Sequence, residues 1–520
     1  MKLIFISLVL SIMKIRIRVV VGIMMFLGYF LIYIARYNLS VHILDMTRVT
    51  TSDIINMQNI NTTTITRTSE TRQGLTVGVL FMDDWKIGLL FSAYHVGYCV
   101  CFPIFHTVGD RLGPTWIVGI AGMISGISNC LTPAAARYKF WLLFGARVVV
   151  GFCAGAMSPS MVQLLRHWVP PTERHYFMWA YCGITAGTFS TFIICAALQY
   201  YARWPVGFYF TGGIQVLWAA TWLIVVADYP QKHAFIPRDE LIYLINTIGT
   251  TFTIKLTNSQ APWRLILKSV PFWALCVLNF GYAWLITSVC VHGPIYYTRV
   301  IRYSIYTASA LTAMPFFLRL VLGTCILQVF YWYKHNEHIM RVKRLRKYFI
   351  VVSHVLPGLI ICSLWAIPVV PGPVLITITV ALTAAGMDLT LDLCYELSPT
   401  FFNSIYTVIK IIGNVPGIIV SLSVGFVTSK YKDYAYVWKH IWCFHALVLL
   451  LSGIFFLICG ETTVQSWNNV RDRPLQSRPN QRPHYLSNII EVDEDDNTIR
   501  TSSNRKSSSI NKKQITPTQL

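Results

Sequence analysis

The sequence predicts an all-α membrane protein with twelve transmembrane helices in two six-helix halves. Three observations carry that prediction. Hydrophobic residues form 54% of the 520-residue chain and charged residues only 12%, against about 25% charged in soluble domains. Apolar windows of about 20 residues, long enough to cross a bilayer as helices, recur roughly twelve times. The basic residues behind the net charge of +21 gather between those windows. That pattern fits the positive-inside rule and excludes nucleic acid as a partner. The 13 cysteines lie mostly inside apolar runs, as at Cys99, Cys101, Cys276 and Cys362. They show neither metal-ligand spacing nor a disulfide framework.

The first span covers about 18–44, behind Lys14, Arg16 and Arg18. The apolar leader before it has no small-residue cleavage site and is expected to stay on the chain. The loop from Asp45 to Asp84 is Thr-rich and carries the sequon "NTT" at Asn61, the expected glycosylation site. "NLS" at Asn38 lies too near the membrane to serve. Spans two to six cover 86–108, 114–133, 138–161, 174–198 and 204–228. The polar stretch 229–269 then links to spans at 270–293, 305–333, 348–370, 373–398, 400–428 and 436–460. Arg166 and Arg174 follow the fourth span, and "KHNEHIMRVKRLRK" follows the eighth, on the same side as the N-terminus. That side is expected to be cytoplasmic, with both termini. The resulting organisation is 1–17 cytoplasmic, 18–228 first bundle, 229–269 cytoplasmic linker, 270–460 second bundle and 461–520 disordered tail. Two such halves are the layout of many secondary transporters, with substrate held between them. The tail shows no acidic dileucine signal, which favours plasma membrane over lysosomal or vesicular membrane.

Charges inside spans cost about 2.5–3.5 kcal/mol on insertion scales, so each needs a partner or a water-filled cavity. Arg147, in "FGARVVVGFCAGAMSPS", lies roughly 14 Å into the fourth span. Arg147, Gly151, Gly155 and Pro159 share one helix face, and glycines at that spacing admit another helix closely. The arginine either anchors an anion with its planar fork or pairs with a carboxylate or backbone carbonyls. Arg36, in "IYIARYNLS", either lines a site or snorkels to the interface. In the tenth span, "GMDLTLDLCYELSP" places Asp388, Asp392 and Glu396 on one face. This acidic stripe reads as proton coupling, cation binding or an ion-pair gate, or as salt bridges to Arg147, Arg319 or Lys410. Glu396 stands near the cytoplasmic end, where water also suffices. Lys410 in "YTVIKIIGNVPG" binds anion or pairs with the stripe. His95 in "FSAYHVGY" titrates near neutral pH or packs as a hydrogen-bonded residue. Arg319 in "FFLRLVLG" is a weaker candidate. No nucleophile–base constellation or metal motif marks an enzyme.

Several segments together resemble the anion–cation symporter family of the major facilitator superfamily. That family includes sialin, the vesicular glutamate transporters and the sodium–phosphate cotransporters. "GDRLGP" resembles the superfamily's loop motif through Asp110, Arg111 and Gly113. "ARYNLSVHI", "RVVVGFCAGAMSPS" and "HWVPPTER" resemble the first-helix, fourth-helix and following-loop motifs. "RWPVGFYFTGG", "ADYPQKHAFIP" and "NVPGII" also match, so the resemblance runs from about Arg36 to Gly460. It implies a major facilitator fold with alternating access, with Arg36 and Arg147 binding the anion. It also marks departures. Ala154 stands where the family has its coupling acid, seven residues after the fourth-helix arginine. Ala35 stands where some relatives have an acid. Tyr282 replaces the seventh-helix arginine of the vesicular glutamate transporters, as in sialin-like members. Lys410 takes a usual asparagine position. Asp388 and Asp392 replace uncharged residues, and Glu396 keeps an acid.

The expected function is secondary active transport of small anions, carboxylate or phosphate, coupled to co-transported H+ or Na+. Arg36, Arg147, Lys410 and Tyr282 are the expected substrate contacts. Asp388, Asp392 and His95 are the expected coupling residues. Asp110, Arg111, Gly151 and Gly155 are the expected gating or structural residues. No cofactor or metal is expected. The partners are the anion and the bilayer, and the protein is expected to be a monomer. The rival readings are an uncoupled anion uniporter and a non-transporting receptor or scaffold on the same fold.

Overall fold

The computed structural model describes residues 16–47, 82–249, 261–336, 339–363, 372–386, 389–431 and 434–469. The chain divides into two compact units, Met1–Asn468 and Asn469–Leu520, and all that follows concerns the first. Asn61 and Asp388 lie outside the described residues, as do the side chains of Asp110, Arg111 and Asp392.

All regular structure among the described residues is helical. A chain in lipid must satisfy every backbone group within the segment, which helices do. The first five helices are α1 (Ile17–Met46), α2 (Asp84–Leu112), α3 (Pro114–Tyr138), α4 (Phe140–Trp168) and α5 (Cys182–Val225). A linker helix, α6 (Arg238–Gly249), follows. Then come α7 (Val270–Thr287), a π-turn at Ser288–His292 and α8 (Gly293–Arg299), all in one continuous rod, and α9 (Ile305–Asn336). The remainder are α10 (Ile339–Ile350), α11 (Leu356–Cys362), α12 (Gly372–Leu382), α13 (Leu389–Leu397), α14 (Phe402–Ile412), α15 (Val415–Lys430) and α16 (Tyr434–Cys459).

Ten of the described helical stretches are long and apolar enough to cross a membrane. One of them, Phe177–Val225, has 49 residues, more than twice the roughly 20 a bilayer needs. It breaks at Ala202 and Arg203, whose dihedrals are not helical (φ −149° and φ 56°). The spans predicted at 174–198 and 204–228 bracket that break. Beside the ten stands a shorter apolar helix, Gly372–Gly386.

Helices α1–α5 pack among themselves, and α7–α16 likewise. The two groups meet along α2 with α15 and α5 with α9. Glycines allow the first contact: a Cβ on Gly425 would come within 2.7 Å of the Asp84 carbonyl. Aromatic pairs fill the second, with ring centroids 5.3 Å apart for Phe189–Phe317 and 5.2 Å for Tyr200–Tyr306. An ion pair, Asp84 to Arg299 at 2.5 Å, ties one end of the interface. At the other end, the Arg166 guanidinium lies 4.4 Å from the centroid of Phe402.

Candidate substrate site

A cavity of about 160 Å³ opens between the two groups of helices. The first group lines it with Tyr29, Tyr33, Arg36 and Tyr37 of α1, Tyr98 of α2, Ser158 of α4, and Thr185 and Thr188 of α5. The second lines it with Asn279, Tyr282 and Thr287 of α7, Phe316 and Arg319 of α9, and Tyr406 and Lys410 of α14. Residues 29, 33 and 36/37 recur every three or four positions, so α1 turns one polar stripe to the cavity.

Arg36 sits in an aromatic box. Its Cζ lies 5.4, 5.2 and 5.2 Å from the ring centroids of Tyr33, Tyr37 and Tyr94, a cation–π arrangement. One guanidinium nitrogen stands 3.4 Å from His95 Nδ1. Guanidinium only donates, so Nδ1 accepts and the ring proton is assigned to Nε2. The Arg36 Nε is buried with no acceptor among the described residues.

Arg319 faces the same cavity. Its Nη1 donates to Thr185 Oγ1 at 3.0 Å and its Nη2 to the Tyr282 hydroxyl. Its Nε also lacks an acceptor among the described residues. The Lys410 ammonium lies 5.2 Å from the centroid of Tyr406. Three cations thus line one cavity, and no carboxylate stands among its described lining residues. A charge in low dielectric surroundings is stable only with compensation. For Arg36 and Arg319, tyrosine faces and hydroxyls supply part of it, and an anion would supply the rest.

A break in the eleventh span shapes the cavity floor. Pro416 brings no N–H, and the helix interrupts between Ile412 and Val415. The carbonyls near the break are met by side chains: Asn279 Nδ2 donates to Ile409 O and Asn414 Nδ2 to Lys410 O, both at 2.9 Å. Gly413 allows the first, since a Cβ there would strike Asn279 Nδ2. Broken helices at cavities are a transporter device.

The two arginines that the sequence grouped are separated. Arg147 is 1% exposed and does not line the cavity. Its Nη1 donates to Ala35 O at 3.1 Å and its Nη2 to Asn38 Oδ1 at 2.7 Å. Asn38 in turn donates to Asn129 Oδ1 at 3.0 Å. The fork therefore clamps α1 to α4 through a carbonyl one residue before Arg36. This matches the alternative in which Arg147 pairs with backbone carbonyls. The glycine face of α4 meets α2: a Cβ on Gly151 would collide with Tyr94 O, and one on Gly155 would come within 2.8 Å of Tyr98 O. Tyr94 and Tyr98 are thereby held against Arg36 and the cavity.

His95 is 2% exposed and touches Arg36 without lining the cavity. Glu396 pairs with Arg346 at 2.5 Å, a partner the sequence did not suggest. Gly113 adopts φ +84° and starts the turn into α3, where the Thr115 amide donates to Asp228 Oδ1 at 2.8 Å. Sequence reasoning missed the tyrosine lining. Its signal was present in "YFLIYIARY", with tyrosines at helical spacing around the arginine.

A buried site between two helix groups, floored by a broken helix, is a transporter architecture. The family comparison decides the assignment: the model of the Major Facilitator Superfamily matches residues 21–421. The chain belongs to the Major Facilitator Superfamily. It is similar to sialin from Ovis aries, 23% identical over 450 residues, covering 85% of this chain and 89% of that protein. It is also similar to a putative inorganic phosphate cotransporter from Drosophila melanogaster, 25% identical, covering 77% of this chain and 78% of that one. The crystal structure of a D-xylose–proton symporter shares the fold, with a TM-score of 0.61 and 13% identity over 85% of this chain and 97% of that chain. The protein is therefore a multi-pass membrane protein of a transporter superfamily. Such members are not enzymes, as expected from the missing catalytic motifs.

Proposed function

We propose that this superfamily member is a secondary active transporter of small anions, carboxylate or phosphate, working by alternating access. One observation carries the reading: Arg36, Arg319 and Lys410 line a single cavity whose described lining holds no carboxylate. The likeness to a putative inorganic phosphate cotransporter supports it. Arg36 and Lys410 hold the anion and Tyr282 orients Arg319, while Arg147 and the Gly151–Gly155 face set the position of the Arg36 wall. A superfamily carrier exposes such a cavity to each side in turn.

Coupling to H+ or Na+ is assigned to His95, Asp388 and Asp392. His95 touches the anchor itself. A proton on its Nδ1 would end its acceptance from Arg36 and place two cations together, a state that a bound anion favours. The aspartates replace the acid missing at Ala154.

The test is uptake of radiolabelled anions by proteoliposomes, at two pH values, with and without sodium. Selective anion accumulation that depends on pH or sodium is the expected result. Replacing Asp388 and Asp392 together by asparagine should abolish that dependence, and unchanged coupled uptake would remove them from the coupling role. Flux without accumulation identifies a uniporter. Specific binding with no flux for any anion contradicts transport.

A further inference from the structure

Arg319 belongs to α9, in the second group of helices, yet it donates to Thr185 of α5, in the first (3.0 Å). Its other hydrogen-bond acceptor is the Tyr282 hydroxyl. Both acceptors are neutral. The side chain lines the cavity at 6% exposure, and its Nε has no acceptor among the described residues. Neutral hydroxyls satisfy N–H groups but leave the charge itself uncompensated. Arg36 is in the same condition on the opposite wall, with aromatic faces, a histidine nitrogen and an orphaned Nε. Two guanidinium groups, one from each helix group, therefore line a single cavity, and no carboxylate among its described lining residues meets either charge. An anion with one acidic head meets one fork in bidentate fashion and leaves the other unmet.

We propose that Arg319 is a second substrate contact, specific for a further acidic group on a two-headed anion such as a dicarboxylate, and that this group replaces Thr185 as its acceptor. The inference rests on the anion reading above and adds the substrate class and the residue that selects it. The consequence is conformational. In the empty carrier the Arg319–Thr185 bond ties the two helix groups together at the cavity. Substrate takes over the donor, so the loaded carrier loses a tie that the empty carrier keeps. Tyr282 lies in the same helix group as Arg319 and holds the fork in position through the exchange.

The experiment measures binding of radiolabelled succinate to the purified full-length protein, with unlabelled succinate, butyrate and inorganic phosphate as competitors. Succinate and butyrate have the same carbon number and differ in one carboxylate. In the wild type, succinate should compete at least about tenfold better than butyrate, the size of one charged hydrogen bond. In Arg319→Gln the two should fall within about twofold of each other. Thr185→Val keeps the guanidinium and should keep the preference, while raising net uptake relative to exchange in proteoliposomes because the empty carrier is released. Equal competition by butyrate and succinate in the wild type would overturn the proposal. So would an Arg319→Gln variant that weakens both alike, or a Thr185→Val variant with unaltered net uptake and exchange. If none of the three anions binds, the anion reading itself fails, which is a different result from lost preference among binding anions.

Discussion

Arg36 and Arg147 each place a full charge inside an apolar helix, and the protein meets the cost of each differently. Arg147 spends its fork on a backbone carbonyl and a buried amide. Arg36 lines a cavity, and its buried Nε has no acceptor among the described residues. Their replacements should therefore separate. Arg147→Gln removes donors from Ala35 O and Asn38 Oδ1, costing about 1–3 kcal/mol for groups left unmet. It should lower Tm and abundance in a size-exclusion thermostability assay. Arg36→Gln should leave abundance in place and remove anion uptake. Equal thermal loss in both variants would contradict the division of roles. Sequence alone does not separate them, because both are arginines within apolar helices and both match family motifs. What differs is the rotation of each helix, and that is set by the neighbours: glycines on α4 draw it onto α2, which turns Arg147 toward α1. Arg319 was undervalued for the same reason. Its partners, Thr185 and Tyr282, lie 134 and 37 residues away in the chain.

Elements were far more legible than contacts. A bilayer demands about 20 apolar residues per crossing, so hydropathy locates spans without knowledge of packing. Local irregularities escaped that reading, because they answer to single residues. The break in the eleventh span is one: Pro416 supplies no N–H to Ile412 O, and beside it Asn279 and Asn414 donate to Ile409 O and Lys410 O. Gly413→Ala would push Asn279 off Ile409 O, since a Cβ there collides with its Nδ2. Substrate affinity should fall several-fold in a binding assay while the protein still purifies as a monodisperse species; unchanged affinity would show that the break does not shape the site. The α2–α4 seam makes a second demand. Gly151→Leu would force the helices apart against backbone, an overpacking cost of about 1–3 kcal/mol or more. The readout is a fall in Tm, and a variant as stable as the wild type would deny the seam its close approach.

At the scale of the whole molecule, the linker helix is anchored to the bundle. Glu240 of α6 accepts from the backbone amides of Ile17 and Arg18 at 2.9 and 3.2 Å, capping the start of α1. Arg18 pairs with Glu173 at 2.5 Å, and the Tyr243 hydroxyl donates to the same carboxylate at 2.7 Å. The Glu240 carboxylate thus meets two orphan donors of a helix N-terminus. Glu240→Gln should speed hydrogen exchange across 238–249 while leaving anion affinity unchanged. Protection equal to the wild type would mean that other contacts hold the linker. None of this long-range pairing was visible in the sequence, where Arg18 counted only toward orientation and the linker only as a polar stretch.

The central claim is that the cavity between the two helix groups is an anion site built on Arg36. Its most direct test is anion uptake by proteoliposomes carrying wild-type or Arg36→Gln protein at equal reconstituted amounts. The structure predicts saturable uptake in the wild type and uptake at the level of protein-free liposomes in the variant. Uptake by Arg36→Gln with wild-type rate and affinity would contradict it.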